Sequence, residues 1–514
     1  MRACLVWFAL VLTLAPGCSD SGSSAGDTAP RGDGALDAAP REGAPPRADG
    51  AIADGEGDGA AGDAPPAGDS AAPSKDCVPA GNALRVGSGQ TYATIKAALA
   101  AAVAGDTIVV ADGTYELAAG DLVIAKGGSG AGARLTICAE HSRKATLRAQ
   151  GRVVAIRAPW VTLQGFVIDG KFGTQDVVSV DDSADELVLR DLEVHSGQRD
   201  GIDMGGGSSA GLKNVLVEGC VIHHMLNGST TNQQDAHCIV ATDFDGLTIR
   251  DTEAYYCSGD SVQVGTDRDP WDNLVIERCR MWTGPLPAAA AGFAAGESPG
   301  ENALDTKAMP HAGVKGRITL RDSAFWGFDA PTAYIANRAA LNLKDQITGV
   351  VERCTVRDSE IGLRIRGGSG PRGGVDGLVI KNVVMFRNRF HVRVEDGALG
   401  VELLHDTFGR LVDDSGAPQA AGNPEDMLKG GGGGNQGAGW RTANNLFVAT
   451  GLPSRAAGSG DRAAPATSPL LRDVNNDDYH LLIDANAPSA VGVAVDRDGR
   501  ARSATTPDVG AYER

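Results

Sequence analysis

Nine eight-residue segments recur through the middle of the chain, and they restrict its fold more than any other feature. They read VTLQGFVI from residue 161, LVLRDLEV from 187, VLVEGCVI from 215, LTIRDTEA from 247, LVIERCRM from 274, ITLRDSAF from 318, GVVERCTV from 349, LVIKNVVM from 378 and VELLHDTF from 401. The first, third and eighth positions are almost always apolar, with a polar or glycine pair between them, which is the pattern of strand, sharp bend and strand. One such unit cannot bury its own apolar face, so the copies have to stack. Short strands with no helical period make the stack a parallel β-solenoid, an all-β fold. The sixth position reads Leu192, Cys220, Thr252, Cys279, Ser323, Cys354 and Val383. Its cysteines are expected as small buried residues of an internal column, not as metal or redox groups. The ninth position reads His195, His223, Tyr255, Trp282, Trp326, Arg357 and Phe386. These side chains are expected to stack along one edge, with a sugar platform as the second reading.

A further strand follows most repeat starts. Its inward residues align as Val178/Val180, Ile202/Met204, Cys238/Val240, Val262/Val264, Leu304/Thr306, Ala333/Ile335, Leu363/Ile365 and Val392/Val394. The outward residues then fall into two columns. One is Ser179, Asp203, Ile239, Gln263, Asp305, Tyr334, Arg364 and Arg393; the other is Asp181, Gly205, Ala241, Gly265, Lys307, Ala336, Arg366 and Glu395. Neighbouring strands lie about 4.8 Å apart, so Asp305 and Lys307 are expected beside Tyr334 and within two rungs of Arg364 and Arg366. The longest excursions, 227–236 and 283–301, precede this strand and should rise beside it as walls. A charged strip with glycines on one side and loops for walls suits an extended polymer.

The chain opens with Arg2, an apolar run from Leu5 to Leu14 and then LAPGCSD. This is the layout of an export signal and is too short for a membrane span. Ala15-Pro16-Gly17-Cys18 resembles a bacterial lipoprotein cleavage box, which would make Cys18 the lipidated first residue, anchored to the outer or the cytoplasmic membrane. Cleavage without lipidation is the other outcome. Residues 19–76 are mostly Ala, Gly, Pro, Asp and Ser, and such a composition buries too little to offset its ordering entropy, so a disordered tether is expected. Its twelve acids and four bases give −8 of the chain's net charge of −18. The remainder is mildly acidic, which offers nothing for nucleic acid, and a monomer is expected. The organisation reads as signal 1–18, linker 19–76, β-helix 77–450 and a closing segment 451–514. Setting aside Cys4 and Cys18 leaves seven of nine cysteines, so at least one thiol is unpaired. The positions of Cys77 and Cys138 near one end suggest a bridge.

YATIKAALAAAVAGDTIVVADGTYE, residues 92–116, reads as an amphipathic helix at 92–104, a Gly-Asp turn and a strand Thr107–Ala111. A helix there would cover the open solenoid end, where unpaired strand edges invite aggregation. This stretch resembles the opening of pectate-lyase-like right-handed parallel β-helix proteins. The terminal DRDGRARSATTPDVGAYER likewise resembles a tail found on exported proteins of that kind. The resemblance covers most of residues 84–514 and implies a right-handed parallel β-helix with an N-terminal capping helix. It does not choose a reaction, because this fold carries lyases, hydrolases, epimerases and inert adhesins.

Three arginines and a lysine on one face of an acidic domain have two readings. One is a solvated face of cross-strand ion pairs. The other is a strip for the carboxylates of an acidic polysaccharide, which suit arginine's planar fork. On the second reading Arg366, Arg393, Arg338, Gln263 and His237 are the substrate contacts. Cutting a uronic-acid polymer by β-elimination removes a proton α to a carboxylate, so a cation must neutralise that carboxylate and a base of tuned pKa must take the proton. Polysaccharide lyases on this fold pair Ca2+ held by Asp, Glu or Asn with a Lys or Arg base, and ENALDTK, residues 301–307, resembles that arrangement. The resemblance implies Glu301 and Asp305 as Ca2+ ligands, completed by Asp267 and Asp269, with Lys307 as base and Arg364 and Tyr334 as its catalytic neighbours; hard oxygens suit Ca2+. Asp267 and Asp269 also read as plain turn residues. Arg364 and Arg366 should lower the pKa of Lys307, and Asp305 should oppose them unless a cation occupies it.

Two other functions compete. A glycoside hydrolase would need carboxylates flanking one bond, with Asp203, Asp260 and Asp305 as candidates. GLRIRGG, residues 362–368, is faintly similar to the Arg-x-Lys strand of polygalacturonases, but the accompanying paired aspartates are missing. A non-catalytic, tethered glycan-binding or envelope protein is the third reading. His223, His224 and His237 match no zinc spacing, and His237 also reads as a strand-edge hydrogen-bonder.

Overall fold

The computed structural model describes residues 75–514 apart from 121, 206–210, 266–269, 308–313, 330–334, 336, 369–372, 414, 420–421, 432–435 and 457. The signal, Cys18 and nearly all of the tether lie outside the described residues, as do Asp267, Asp269 and Tyr334. Three sheets of parallel strands make up the fold, of 13, 13 and 11 strands, which we call sheets I, II and III. In each, strand order follows the chain, so every coil adds one rung to every sheet. One coil runs through Val161–Gln164 in sheet I, Phe166–Gly173 in sheet II and Val178–Val180 in sheet III, and Val188–Arg190 then returns to sheet I. The molecule is a parallel β-helix.

The eight-residue unit spans the corner between sheets I and II, and its fifth residue makes the bend. Asp191, Asp251, Arg278, Asp322, Arg353 and Asn382 all have φ between 50° and 55°, and Gly165 and Gly219 occupy the same position at 77° and 64°. A single left-handed residue turns the strand without a loop, which favours Gly, Asn and Asp there. The two arginines at this position pair with the aspartate one coil earlier: Arg278 Nε lies 2.7 Å from Asp251 and Arg353 Nε 2.7 Å from Asp322. The sixth residues point inward, and Cys220, Cys279 and Cys354 are buried and unpaired as expected. Polar members of this column accept backbone N–H groups from the preceding coil. Thr252 Oγ1 accepts from Cys220 at 3.3 Å, Ser323 Oγ from Cys279 at 3.0 Å and Asp406 from Val383 at 2.8 Å, so these donors at the bend stay satisfied.

The ninth residues form the stacking ladder. His195, His223, Tyr255, Trp282 and Trp326 follow one another with centroids 4.6–5.8 Å apart and planes within 14°. The Arg357 guanidinium lies 4.7 Å from the Trp326 ring centre. Each ring covers its neighbour's face, so the ladder shows edges to solvent and not a flat platform for sugar.

The helix at the start is Ile95–Ala101, shorter than expected because Ala102 already has extended backbone. Thr94 Oγ1 caps it by accepting from the Ala97 N–H at 3.1 Å, and Ile95, Ala98 and Leu99 are buried against the first strands. Cys77 and Cys138 are bridged, and Cys238 and Cys257 form a second disulfide that the sequence did not suggest. At the other end the tail folds back on the corner of the later coils, where Arg497 Nη1 donates to the Cys354 carbonyl at 2.7 Å and Arg502 Nη2 to Asn382 Oδ1 at 2.8 Å. Among the described residues, no helix is long and apolar enough to cross a membrane.

Candidate functional site

Sheet III carries the outward column, with two corrections. The register runs Ser179, Asp203, Val240, Gln263, Asp305, Asn342, Arg364, Arg393 and Lys429. Ile239 and Ala241, not Cys238 and Val240, hold the inward positions of their rung. All four of these residues are apolar, so alternation could not fix the register there. The rung after Asp305 is Ala339–Leu343 rather than the segment around Ala333 and Ile335. Asn342 therefore stands where Tyr334 was expected.

Asp305 is 4% exposed. Asn342 Nδ2 donates to its Oδ1 at 3.0 Å, and Lys344 Nζ lies 3.1 Å from its Oδ2. Lys307 is fixed by its backbone: its N–H donates to the Val264 carbonyl at 2.7 Å, and its carbonyl accepts from Trp271 Nε1 at 2.8 Å. Its side chain is exposed and lies against Gly265, where an added Cβ would meet Lys307 Cβ at 3.4 Å. Desolvation lowers the ammonium's pKa, but Asp305, Asp260, Asp235 and Glu301 outweigh it, and the net shift is upward. The expected lowering by Arg364 and Arg366 is thus reversed. In the resting protein Lys307 holds its proton.

The arginines turn elsewhere, toward the buried Glu395. Arg364 approaches it in a fork at 3.2 and 3.0 Å, Arg393 Nε at 2.7 Å and Arg366 Nε at 3.3 Å. Arg366 also lies 3.6 Å from Asp396, and Arg393 Nη1 donates to Asn337 Oδ1 at 2.7 Å. This end of the strip is a cross-strand ion-pair network in which three guanidiniums face two carboxylates. Two predicted substrate contacts are corrected. Arg338 is only 1% exposed, with Nη2 donating to the Ser298 carbonyl at 2.8 Å, and His237 is 5% exposed. Both stand in the turn leading into sheet III, beside the core and not on the outward face. Gln263 is half-buried next to Asp305 as expected, and its Oε1, like Asn342 Oδ1, has no hydrogen-bond partner among the described residues.

A second column, unanticipated, runs along that turn. Asp200, His237, Asp260 and Asn302 each stand two residues before the first inward residue of successive rungs. His237 Nδ1 lies 2.9 Å from Asp200 Oδ1 and its Nε2 lies 3.7 Å from Asp260 Oδ2. Asn302 Nδ2 donates to Asp260 Oδ1 at 2.7 Å. Burial alone would discharge His237, but the hydrogen bond and charge of Asp200, with Asp260 and Asp235, raise its pKa to about 9. Burial, then Asp305, raises Asp260 to about 6 against the pull of His237 and Lys307. Burial, then Asp260 and Asp235, raises Glu301 to about 8. The cluster thus sets one carboxyl that keeps its proton near neutrality, Glu301, beside the more acidic Asp260 and an exposed ammonium, the division of labour that acid–base chemistry uses.

Of the expected Ca2+ ligands, Asp305 has both oxygens engaged, by Asn342 and Lys344, and Asp267 and Asp269 lie outside the described residues. Among the described residues no group of three or more His, Cys, Asp or Glu is placed to hold a metal ion. Asp200, Asp235, Asn302 and Lys344 were missed in the sequence. For Asp200 and Asn302 the signal was a constant offset from the inward residues and for Lys344 a correct register, while Asp235, on a loop, carried none.

The sequence matches no family model and no curated protein. Among solved structures, the pectate lyase Pel9A is similar over 86% of this chain and 99% of its own, at 15% identity and a TM-score of 0.43. The A-module of the mannuronan C-5 epimerase AlgE6 of Azotobacter vinelandii is similar over 73% and 94%, at 13% and 0.48. The PL6 family polysaccharide lyase Pedsa3628 of Pseudopedobacter saltans is similar over 74% and 92%, at 10% and 0.44.

Proposed function

We propose that this chain is an exported, carbohydrate-active β-helix protein that binds an acidic polysaccharide along sheet III and cleaves it by β-elimination at Lys307. The observation carrying this reading is the exposed Lys307 side chain, lying against Gly265 and set among carboxyls of unequal proton affinity. A uronate carboxylate pairs with that ammonium, which stabilises the charge that develops as the α proton leaves. Asp235, an exposed carboxylate of the same cluster, accepts that proton. Glu301, half-buried and protonated at neutral pH, donates to the departing glycosidic oxygen. Lys307 serves as an electrostatic partner and not as the base. Export is supported by the signal-like run of residues 2–18 in the sequence and by two disulfides, which persist in oxidising compartments.

Hydrolysis is the second reading, and the Glu301–Asp235 combination favours it as well, since one protonated and one ionisable carboxyl could activate water instead. Galacturonan, alginate and a glycosaminoglycan, beside neutral glucans, discriminate these outcomes. Elimination gives unsaturated ends that absorb in the ultraviolet, whereas hydrolysis gives reducing ends without that absorbance. Lys307→Ala is expected to reduce cleavage by about 100-fold or more with an unchanged Tm. Equal cleavage of neutral glucans, or an unaltered rate in the variant, would remove Lys307 from the chemistry.

A further inference from the structure

Sheet III changes at its last rungs, and a cavity of about 460 Å³ opens there. Phe390 stands two residues before the inward Val392, the place that Ala339 and Ile361 fill on the two preceding coils. Those two are fully buried, whereas Phe390 is half-buried. The next coil explains the difference. Its strand is only Leu428–Gly430, and the register places Asp426, inside the short helix Pro424–Met427, opposite Phe390. A helix end and not a strand therefore borders the ring on that side. Arg389 Cζ and Lys429 Nζ each lie 5.1 Å from the centre of the Phe390 ring, whose face attracts cations. The hairpin held by the Val412–Pro418 bridge adds Asp413 and Gln419 to the lining.

Charge in this cavity is unevenly committed. Asp413 Oδ1 accepts from the Ser415 N–H at 2.8 Å, the Ser415 hydroxyl at 2.6 Å and the Ala417 N–H at 3.0 Å, so this acid builds its own loop. Asp426 Oδ1 meets Lys429 at 2.6 Å, in a surface pair of the kind that contributes little and that a ligand carboxylate can replace. Arg389 Nη1 is 4.0 Å from Glu360. Two cations are thus gathered on one ring although like charges repel. Lys429 also continues the outward column of Arg364 and Arg393, four rungs from Asp305, or about 19 Å. Those two arginines are drawn to Glu395, whereas Lys429 is turned to the ring.

We propose that this cavity is a distal subsite of the strip. It takes one uronate residue of the polymer, with the carboxylate shared by Lys429 and Arg389 and a C–H edge of the sugar against Phe390. A chain laid along sheet III from Lys307 has to cross the intervening rungs to reach it, so the subsite favours substrates several sugars long. The inference rests on an acidic polymer lying along sheet III, as proposed above, and not on the chemistry at Lys307.

The test is calorimetric titration of the full chain, in a Lys307→Ala background that slows turnover, with hexamers of galacturonate and of mannuronate and with cellohexaose as the neutral control. An acidic hexamer is expected to bind more tightly than cellohexaose. Lys429→Met and Phe390→Ala should each weaken that binding by about threefold or more, the scale of a lost surface ion pair. Lys429→Met serves if the Phe390 variant does not fold. Lys213→Met makes the same charge change at an exposed position of sheet I and should leave the affinity unaltered. Absence of binding by both acidic hexamers, equal affinity for cellohexaose, an unchanged affinity in Lys429→Met or an equal loss in Lys213→Met would each overturn the subsite. The polymer assay on the parent chain keeps the two ideas apart. Hexamer binding through Lys429 without cleavage of any polymer defeats the proposed elimination and keeps the subsite, while cleavage with binding indifferent to Lys429 does the reverse.

Discussion

The aromatic ladder of sheet II and the polar corner of sheet III are built by the same rule and do opposite things. Each is a column of residues from successive coils, one rung apart. In the ladder every member is satisfied by the next: Trp282 lies 4.6 Å from Tyr255 and 5.8 Å from Trp326, and its Nε1 donates to Glu253 at 2.9 Å. In the corner, neighbours raise one another's pKa, and Asp260 and Glu301 keep protons that free carboxyls would have lost. Repetition yields stacking where neighbours are aromatic, and shifted proton affinities where they are charged and enclosed.

The comparison can be broken by exchange. Trp282→Ala is expected to give the largest loss of stability, about 2–3 kcal/mol, in a denaturant titration, with specific cleavage by the remaining folded protein unchanged. A loss of activity at full folding would make the ladder part of the site. Next comes Glu301→Gln, whose effect depends on pH. The folded protein holds this proton up to about pH 8, whereas an unfolded chain releases it near 4.5, the ordinary value for glutamate. Stability of the parent therefore falls as pH rises between those values. The variant should match the parent below that window and melt several degrees higher above it, while losing the cleavage that needs the acid. A parallel pair of Tm–pH curves would sink this account of Glu301. The smallest effect is expected from Arg393→Ala, which leaves Arg364 and Arg366 on Glu395. Affinity for an anionic oligosaccharide should fall by about two- to fivefold, within the range of exposed ion pairs, by calorimetry. A loss of binding would instead make Arg393 the principal anchor.

The frame was legible in the sequence because its signal repeats. Bend, internal column and ladder each recur at one fixed position of an eight-residue unit, so a deviation in one coil is corrected by the others. The outward column was legible for the same reason at Gln263, Asp305, Lys307, Arg364 and Arg393. It failed where two phases fit equally, as in the apolar run Cys238–Ala241, or where two alternating segments compete, as around Ala333 and Leu341. The electrostatics of Lys307 were not legible. Asp235 and Glu301 reach it from loops of different coils, and the guanidiniums that were to act on it are diverted to Glu395. The sign of such a sum depends on side-chain directions that spacing does not encode.

Coil length varies widely along the chain while the pairing does not: Trp282 opposes Trp326 and Leu304 opposes Val262 in unbroken register on either side of the long excursion 283–301. Around this excursion the extra residues are extruded at the corner, whereas in sheet II the strand Phe166–Gly173 takes up its own extra residues between Asp169 and Gly173. The excursion 283–301 can therefore be lengthened, trimmed or exchanged in evolution or by engineering while the rungs on either side of it keep their spacing.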